Sequence, residues 1–323
     1  MAGTDAINRR IDTLIDTLTS ALAPRAKSLI VTVLGDTLEP RGGAFWLGGL
    51  IDLLAPFGIN QRLVRTSVLR LSREDWLTAR PVGRRSHYRL TGFGRQQIVD
   101  SQRRIYAGPR RIWDGRWHLV LTGLGAIEGP RRARLRRELR WLGFGGLGPN
   151  IFAHPEADPD ALRHTLQALG LQREVAVMHA TGVALFGAAP TYELLGRAWD
   201  LDELARGYAG FIERFAPFRG RVADVASVPE AAFGLRVLLM HEYRRVLLRD
   251  PALPVELLPA RWAGAEAWAL ARDLYAALFE ASEAHLSAVV TTARGALPPA
   301  DPALGDRFAA SDDDPRRGTR DAV

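Results

Sequence analysis

The 323-residue chain contains no cysteine. That excludes a disulfide framework, a thiolate metal centre, an iron–sulfur cluster and a cysteine nucleophile. Lysine is almost absent too: Lys27 is the one lysine among 43 basic residues, so the placement of cations is the placement of arginines. Long apolar runs are missing. Residues 1–25 mix charges with isolated apolar residues and lack the unbroken core of a signal peptide. The longest weakly polar run, residues 175–190, contains His179 and Thr181 and is too short to span a bilayer. A soluble cytoplasmic protein with no membrane partner is the expectation. The seven histidines are scattered, and none pairs with another at i+3 or i+4. His241-Glu242 opens a zincin-like pattern, but Arg245 stands where the second histidine belongs, so no metal is expected. No serine sits in a nucleophile elbow.

What is present is basic charge, unevenly placed. Against 43 basic residues stand 36 acidic ones, for a net charge of +7. Residues 1–147 hold 25 basic and 12 acidic residues, whereas residues 148–323 hold 18 and 24. The excess is densest in residues 25–111, with 16 basic against 6 acidic. A polyanion partner for the N-terminal half follows as a prior.

Hydrophobic spacing divides the chain further. Residues 5–22 read as an amphipathic helix, with Ile7, Ile11, Leu14, Ile15, Leu18 and Leu22 on one stripe. It is expected to serve as a dimer element or to pack on the segment that follows. Helices are predicted over 26–38, 45–54 and from the N-cap Asn60 to about 72. Two short strands follow, 76–80 and 87–90, around a polar turn at 81–86, and then a helix over 91–106. The order helix, tight glycine-containing turn, helix, hairpin is that of a winged helix-turn-helix.

On the third of these helices Val64, Val68 and Leu71 share one face by their i, i+4, i+7 spacing. Gln61, Arg62, Arg65, Thr66, Arg70 and Arg73 occupy the other. A duplex needs cations for phosphates and forked or amide donors for base edges, and this face supplies both. The candidate DNA contacts are those six with Asn60 at the helix start and Arg84 and Arg85 at the wing tip. Arg62, Arg65, Thr66 and Arg70 are expected to read bases. A solvated amphipathic helix with a surface hairpin is the bland alternative.

Downstream, the predicted order βαββαβ over residues 112–187 suggests a ferredoxin-like sandwich. From about residue 191 to 295 the pattern is all-helical, and residues 296–323 read as a polar, disordered tail. The expected organisation is thus an N-terminal amphipathic helix (1–24), a winged-helix domain (25–108), a ferredoxin-like domain (112–187), a helical effector and dimerisation domain (191–295) and the tail: an α+β chain. Gly143-Phe144-Gly145-Gly146-Leu147-Gly148 fits G-x-G-x-x-G literally, but it follows a helix and leads into Pro149, so it reads as a bend between strands and no dinucleotide cofactor is expected.

Two further arginine groups stand out. Arg131, Arg132, Arg134, Arg136, Arg137 and Arg140 fall on one predicted helix, where they would extend a DNA footprint, bind the phosphates of an anionic effector, or simply face solvent beside acidic neighbours. Tyr243, Arg244, Arg245 and Arg249 combine a ring with cations in a way that suits an adenine and its phosphates. Structural pairing with Asp250 explains them equally well.

Several segments together resemble one family. Ser28-Leu29-Ile30-Val31-Thr32-Val33-Leu34-Gly35-Asp36 followed by Pro40-Arg41-Gly42-Gly43 is similar to the opening of the PaaX family, the repressors of phenylacetic acid degradation. Val64-Arg65-Thr66-Ser67-Val68-Leu69-Arg70-Leu71 and Gly83-Arg84-Arg85-Ser86-His87-Tyr88-Arg89-Leu90-Thr91 resemble its recognition helix and wing. His241-Glu242-Tyr243-Arg244-Arg245-Val246-Leu247-Leu248-Arg249-Asp250-Pro251 resembles its C-terminal signature. The resemblance covers roughly residues 25–290. It implies a homodimeric repressor that leaves its double-stranded operator on binding an aryl-CoA thioester, typically phenylacetyl-CoA.

The middle segment also resembles the ferredoxin-type CRISPR-associated nucleases, which carry an Asp at the end of their first strand. Here that stretch is Trp117-His118-Leu119-Val120-Leu121-Thr122-Gly123, without one. A nuclease or a CoA-thioester-acting enzyme built on this domain is the rival reading; a non-enzymatic DNA-binding regulator is the expectation.

Overall fold

The computed structural model describes residues 2–83, 85–108, 113–123, 125, 127–181, 195–196, 198–300, 304–305 and 307–308. The chain forms two compact units, each interrupted in sequence. One comprises Met1–Gly108, Phe211–Arg245 and Ala267–Val323; the other comprises Pro109–Gly210 and Val246–Glu266.

In the first unit, α1 (Ala2–Leu22) is followed by α2 (Ala26–Val33), whose last turn widens into a π-helical turn at Leu34–Leu38. A three-residue strand β1 (Ala44–Trp46) precedes α3 (Leu47–Leu54) and α4 (Gln61–Arg73). The hairpin β2 (Leu77–Val82) and β3 (Arg85–Leu90) leads into α5 (Gly92–Ile105). The three strands form an antiparallel sheet in the order β1-β3-β2. This is a winged helix-turn-helix.

Its core takes the α4 face that the spacing predicts together with α2 and α3. Leu29, Ile30 and Val33 of α2, Leu50, Leu53 and Leu54 of α3, and Val64, Val68 and Leu71 of α4 are all fully buried. The turn between α3 and α4 closes on Gly58 at φ +68°, a left-handed conformation that costs glycine nothing. The amphipathic helix α1 buries Ile11, Ile15 and Leu18 within this same unit, packing near the α3–α4 turn.

Two sequence expectations need correction here. Phe45 and Trp46 are strand, not the start of a helix: paired with Tyr88 and His87 of β3, they set their rings against those of their partners at 5.9 and 5.1 Å between centroids. Cross-strand packing thus overrides the local helical pattern. The wing is also longer than expected, since the strands run on to Val82 and back from Arg85, leaving only the tip as turn.

In the second unit, β4 (Arg116–Leu121), α6 (Gly129–Trp141), β5 (Gly145–Gly148), β6 (Ile151–His154), α7 (Pro159–Leu169) and β7 (Ala176–Thr181) form an antiparallel sheet ordered β5-β6-β4-β7. This is the ferredoxin-like βαββαβ sandwich. Leu135 and Leu139 of α6 with Leu162 and Leu166 of α7 cover one face, against Val120 and Phe152. Trp117, three residues from Val120, and Ala153, one from Phe152, point to the opposite face and meet Leu195, Trp199, Leu201, Leu253 and Leu257. The glycine run 143–148 includes β5 itself, with Gly145 so close to the Trp199 ring that a Cβ would fall 2.4 Å from it. Close packing explains that glycine.

The helical C-terminal half contains α8 (Leu201–Phe215), α9 (Val222–Ala226), α10 (Pro229–Leu247) and α11 (Ala263–Val289). Its segments fall in both units. In the tail expected to be disordered from residue 296, Leu297, Leu304 and Phe308 are buried, and Phe308 lies among the rings of Tyr106, Tyr243, Trp268 and Tyr275. The polar composition of the tail hides these three apolar anchors. Residues 309–323 lie outside the described residues.

Candidate nucleic-acid interface

α4 begins at Asn60, whose side chain accepts a hydrogen bond from the Leu63 amide at 3.0 Å. That cap satisfies one of the orphan donors of the first turn and fixes the helix start. Its amide oxygen is therefore engaged in the fold. Burial of Val64, Ser67, Val68 and Leu71 then turns Gln61, Arg62, Arg65, Thr66, Arg70 and Arg73 outward, and all six are exposed. The Thr66 hydroxyl donates to the Arg62 carbonyl at 2.9 Å, which holds its rotamer on the helix surface.

The four arginines of this face make no ion pair among the described residues. Nearby cations do: Arg95 meets Glu39 at 2.7 Å, and Lys27 meets Glu74. A row of unpaired guanidinium groups on a helix held by its opposite face is what phosphate and base-edge contacts require.

The wing adds to it. Arg85 is exposed near the tip, and Arg84 lies outside the described residues. The alternation of β2 and β3 sets Arg85, His87 and Arg89 on one strand opposite Val82, Arg80 and Thr78 on the other. The His87 imidazole is held below its usual pKa, by burial first and then by Arg89 and Arg80. Arg80 and Arg89 were not among the residues expected at the site, although period-2 alternation from Arg85 pointed to Arg89. Leu63 and Leu69, 48% and 51% exposed, were also missed; apolar side chains on a polar face carry no charge signal.

The C-terminal candidates come out differently. Tyr243 is buried, with its ring near those of Phe211 and Phe308. Arg244 donates to the Thr32 hydroxyl at 3.2 Å. Arg245 is paired with Glu242 at 2.7 Å, and Arg249 with Glu203. Arg244 thus has a hydroxyl partner, and Arg245 and Arg249 have glutamate partners. Asp250 accepts from the Tyr208 hydroxyl at 2.6 Å. In the ferredoxin-like sheet, β4 ends at Leu121-Thr122-Gly123 with no acidic residue, and no cluster of three potential metal ligands occurs among the described residues. No helix among the described residues is long and apolar enough to cross a membrane.

Comparison with known proteins matches three family models in chain order. Residues 25–94 match the PaaX-like protein family, residues 110–191 the PaaX protein central Cas2-like domain, and residues 199–288 the PaaX-like protein C-terminal domain. The transcriptional repressor PaaX of Escherichia coli (strain K12) is 35% identical over 291 residues, covering 90% of this chain and 92% of that protein. Among solved structures, an uncharacterized protein from Mycobacterium tuberculosis aligns over 73% of this chain and 89% of its own, with 26% identity and a TM-score of 0.46. With three domains matched in order and a relative aligned nearly end to end, the chain belongs to the PaaX family.

Proposed function

We propose that this protein is a sequence-specific transcriptional repressor that binds its double-stranded operator as a homodimer and releases it on binding an aryl-CoA thioester such as phenylacetyl-CoA. The observation that carries the DNA-binding part is the exposed, unpaired arginine face of α4 beside a cationic wing. Homology to a named transcriptional repressor supports the same reading. Gln61, Arg73, Arg85 and Arg89 contact phosphates and set the register; Arg62, Arg65, Thr66 and Arg70 reach base edges in the major groove.

Two copies place two α4 helices on half-sites about one helical turn apart, roughly 34 Å. The thioester acts by favouring an arrangement of the dimer in which that spacing is lost, since a ligand shifts an equilibrium only through unequal affinity for its states. The protein turns over no substrate in this scheme and works in the cytoplasm, where its operator is.

A gel-shift titration tests both halves. DNA from upstream of the protein's own gene and its neighbours is retarded by the protein, and phenylacetyl-CoA, but not free phenylacetate, abolishes the shift. Absence of any sequence-dependent shift overturns the DNA reading. Retention of the shift at saturating thioester overturns the effector.

A further inference from the structure

The second unit holds 15 basic and 14 acidic residues, so as a whole its charge is nearly balanced. α6 breaks that balance: Arg131, Arg132, Arg134, Arg136, Arg137 and Arg140 stand on it against the single acid Glu138. Two of the six have structural work. Arg131 donates to the Leu169 and Gly170 carbonyls at 3.2 and 3.1 Å, at the C-terminus of α7, and Arg136 donates through one terminal nitrogen to the Pro149 carbonyl. Arg137 lies 3.4 Å from Glu138. Arg132, Arg134 and Arg140 make no ion pair among the described residues.

Arg132, Arg136 and Arg140 recur at i, i+4 and i+8, a row with steps of about 6 Å along the helix. With Arg137 they border an open groove whose other lining residues, Gly129 and Ala133, also belong to α6. Its floor is low, since glycine has no side chain and alanine only a methyl. The Nε atoms of Arg132 and Arg136 are shut off from water and have no hydrogen-bond partner among the described residues. Buried N–H donors are normally satisfied, so both call for an acceptor from outside the chain. The start of the same helix, at Glu128, has no side-chain cap, and its free amide ends add positive potential near Arg132.

We propose that α6 is a second nucleic-acid surface of this protein, on which Arg132, Arg136, Arg137 and Arg140 follow the phosphate backbone of duplex DNA without reading its sequence. The geometry selects an extended polyanion over a small one. Every residue bordering the groove stands on one helix, so no second element closes over a compact ligand, whereas a strand of evenly spaced phosphates can lie along it. Each guanidinium fork takes a phosphate, and a row of forks takes successive ones. Arg132 and Arg136 are half-buried with sheltered Nε atoms, so they meet the outermost groups of a duplex, its phosphates, and not base edges on a groove floor. A protein partner would need an apolar centre, and the row offers Ala133 alone. The surface rests on α6 itself; the choice of probe fragment rests on the operator reading above.

The test is fluorescence anisotropy of the full-length protein on the upstream fragment and on a shuffled fragment of equal length, over a series of salt concentrations. Wild type, R132Q/R140Q, R140Q and R134Q are compared. Each phosphate contact contributes about 0.9 to the slope of log K against log salt. R132Q/R140Q is therefore expected to lower the slope by about 1.8 and to weaken binding at least about tenfold in 0.1 M salt, equally on both fragments. R140Q changes one exposed side chain and should lower the slope by about 0.9, a separate readout should the double variant melt early. Arg134 stands off the row by its spacing, so R134Q should leave the slope nearly unchanged.

An unchanged slope in R132Q/R140Q and R140Q, with the wild type still preferring the upstream fragment, overturns the α6 surface and leaves the operator reading intact. So does an equal fall per charge in R134Q, which would trace the effect to net charge. A loss confined to the upstream fragment would trace it to base reading and overturns the proposal as well. If the wild type binds both fragments alike and the row variants still lower the slope, the α6 surface stands and the operator reading falls.

Discussion

Replacing Arg236 by Met removes the centre of the largest buried ionic network among the described residues. Arg236 is fully buried on α10. Its Nε donates to Asp36 Oδ2 at 2.8 Å, Nη1 to Glu283 Oε1 at 2.6 Å, and Nη2 to the Tyr275 hydroxyl at 2.9 Å. The guanidinium carbon also lies 4.7 Å from the centre of the Tyr275 ring. Burial pushes the Asp36 carboxyl up, but Arg236 and Arg307 outweigh it and hold the group below the usual carboxylate range.

Met fills a similar volume without charge, so the variant leaves two carboxylates short of a partner. Asp36 keeps the Tyr106 hydroxyl at 2.6 Å and Arg307 at 3.4 Å; Glu283 keeps Arg41. Removing one member of a buried pair costs about 3–5 kcal/mol, and these surviving partners place R236M toward the lower end. D36N should be destabilising too, because it leaves the buried guanidinium one carboxylate, Glu283, in place of two. The double variant D36N/R236M removes both charges of the Asp36–Arg236 pair and leaves Glu283 with Arg41, so it should cost less than the sum of the singles by about 1–3 kcal/mol. Urea unfolding of the four proteins, with midpoints and slopes compared, reads the cycle. A single variant within about 0.5 kcal/mol of wild type, or strict additivity, would refute the reasoning.

Other consequences follow from buried groups. His241, against the Thr32 hydroxyl at 3.2 Å, has its pKa lowered to about 4 by burial and then by Arg244 and Arg245. Its folded pKa lies below the unfolded value of about 6.5, so the contribution is whole above pH 6.5 and is lost as pH falls towards 4. The amount is about 3 kcal/mol, and H241Q should flatten stability across that window; parallel pH profiles for the two proteins would count against it. Gly94 donates its amide to Thr91 Oγ1 at 2.9 Å, and an added Cβ would lie 2.3 Å from the Trp76 carbonyl oxygen. The atoms that Cβ would meet are all Trp76 backbone and cannot rotate away, so G94A should cost about 1–3 kcal/mol and lower the thermal midpoint. An unshifted midpoint would mean that the α5 N-terminus gives way freely.

The winged helix and its reading face were legible because their signals are local. Val64, Val68 and Leu71 define the buried side of α4 within eight residues, Asn60 marks its start, and the arginines occupy what remains. The ferredoxin-like order was legible for the same reason. What escaped depends on distant partners. The burial of Arg236 rests on Asp36, two hundred residues earlier, and that carboxylate is presented by a π turn which no spacing rule foretells. The tail was misread because Leu297, Leu304 and Phe308 are sparse among polar residues, and only the aromatic cluster that receives Phe308 explains their order. Likewise the helical half looked contiguous, since nothing in its periodicity says that Trp199 and Leu253 cover one sheet while Leu235 and Leu274 belong to another core.

The central claim is that α4 reads DNA through its arginine face. Fluorescence anisotropy at one fixed salt concentration tests it most directly, comparing the retarded upstream fragment with a shuffled fragment of equal length. The account predicts that R65A loses about 1–3 kcal/mol on the cognate fragment and much less on the shuffled one, so that discrimination narrows. Equal affinity of wild type and R65A for the cognate fragment would contradict it.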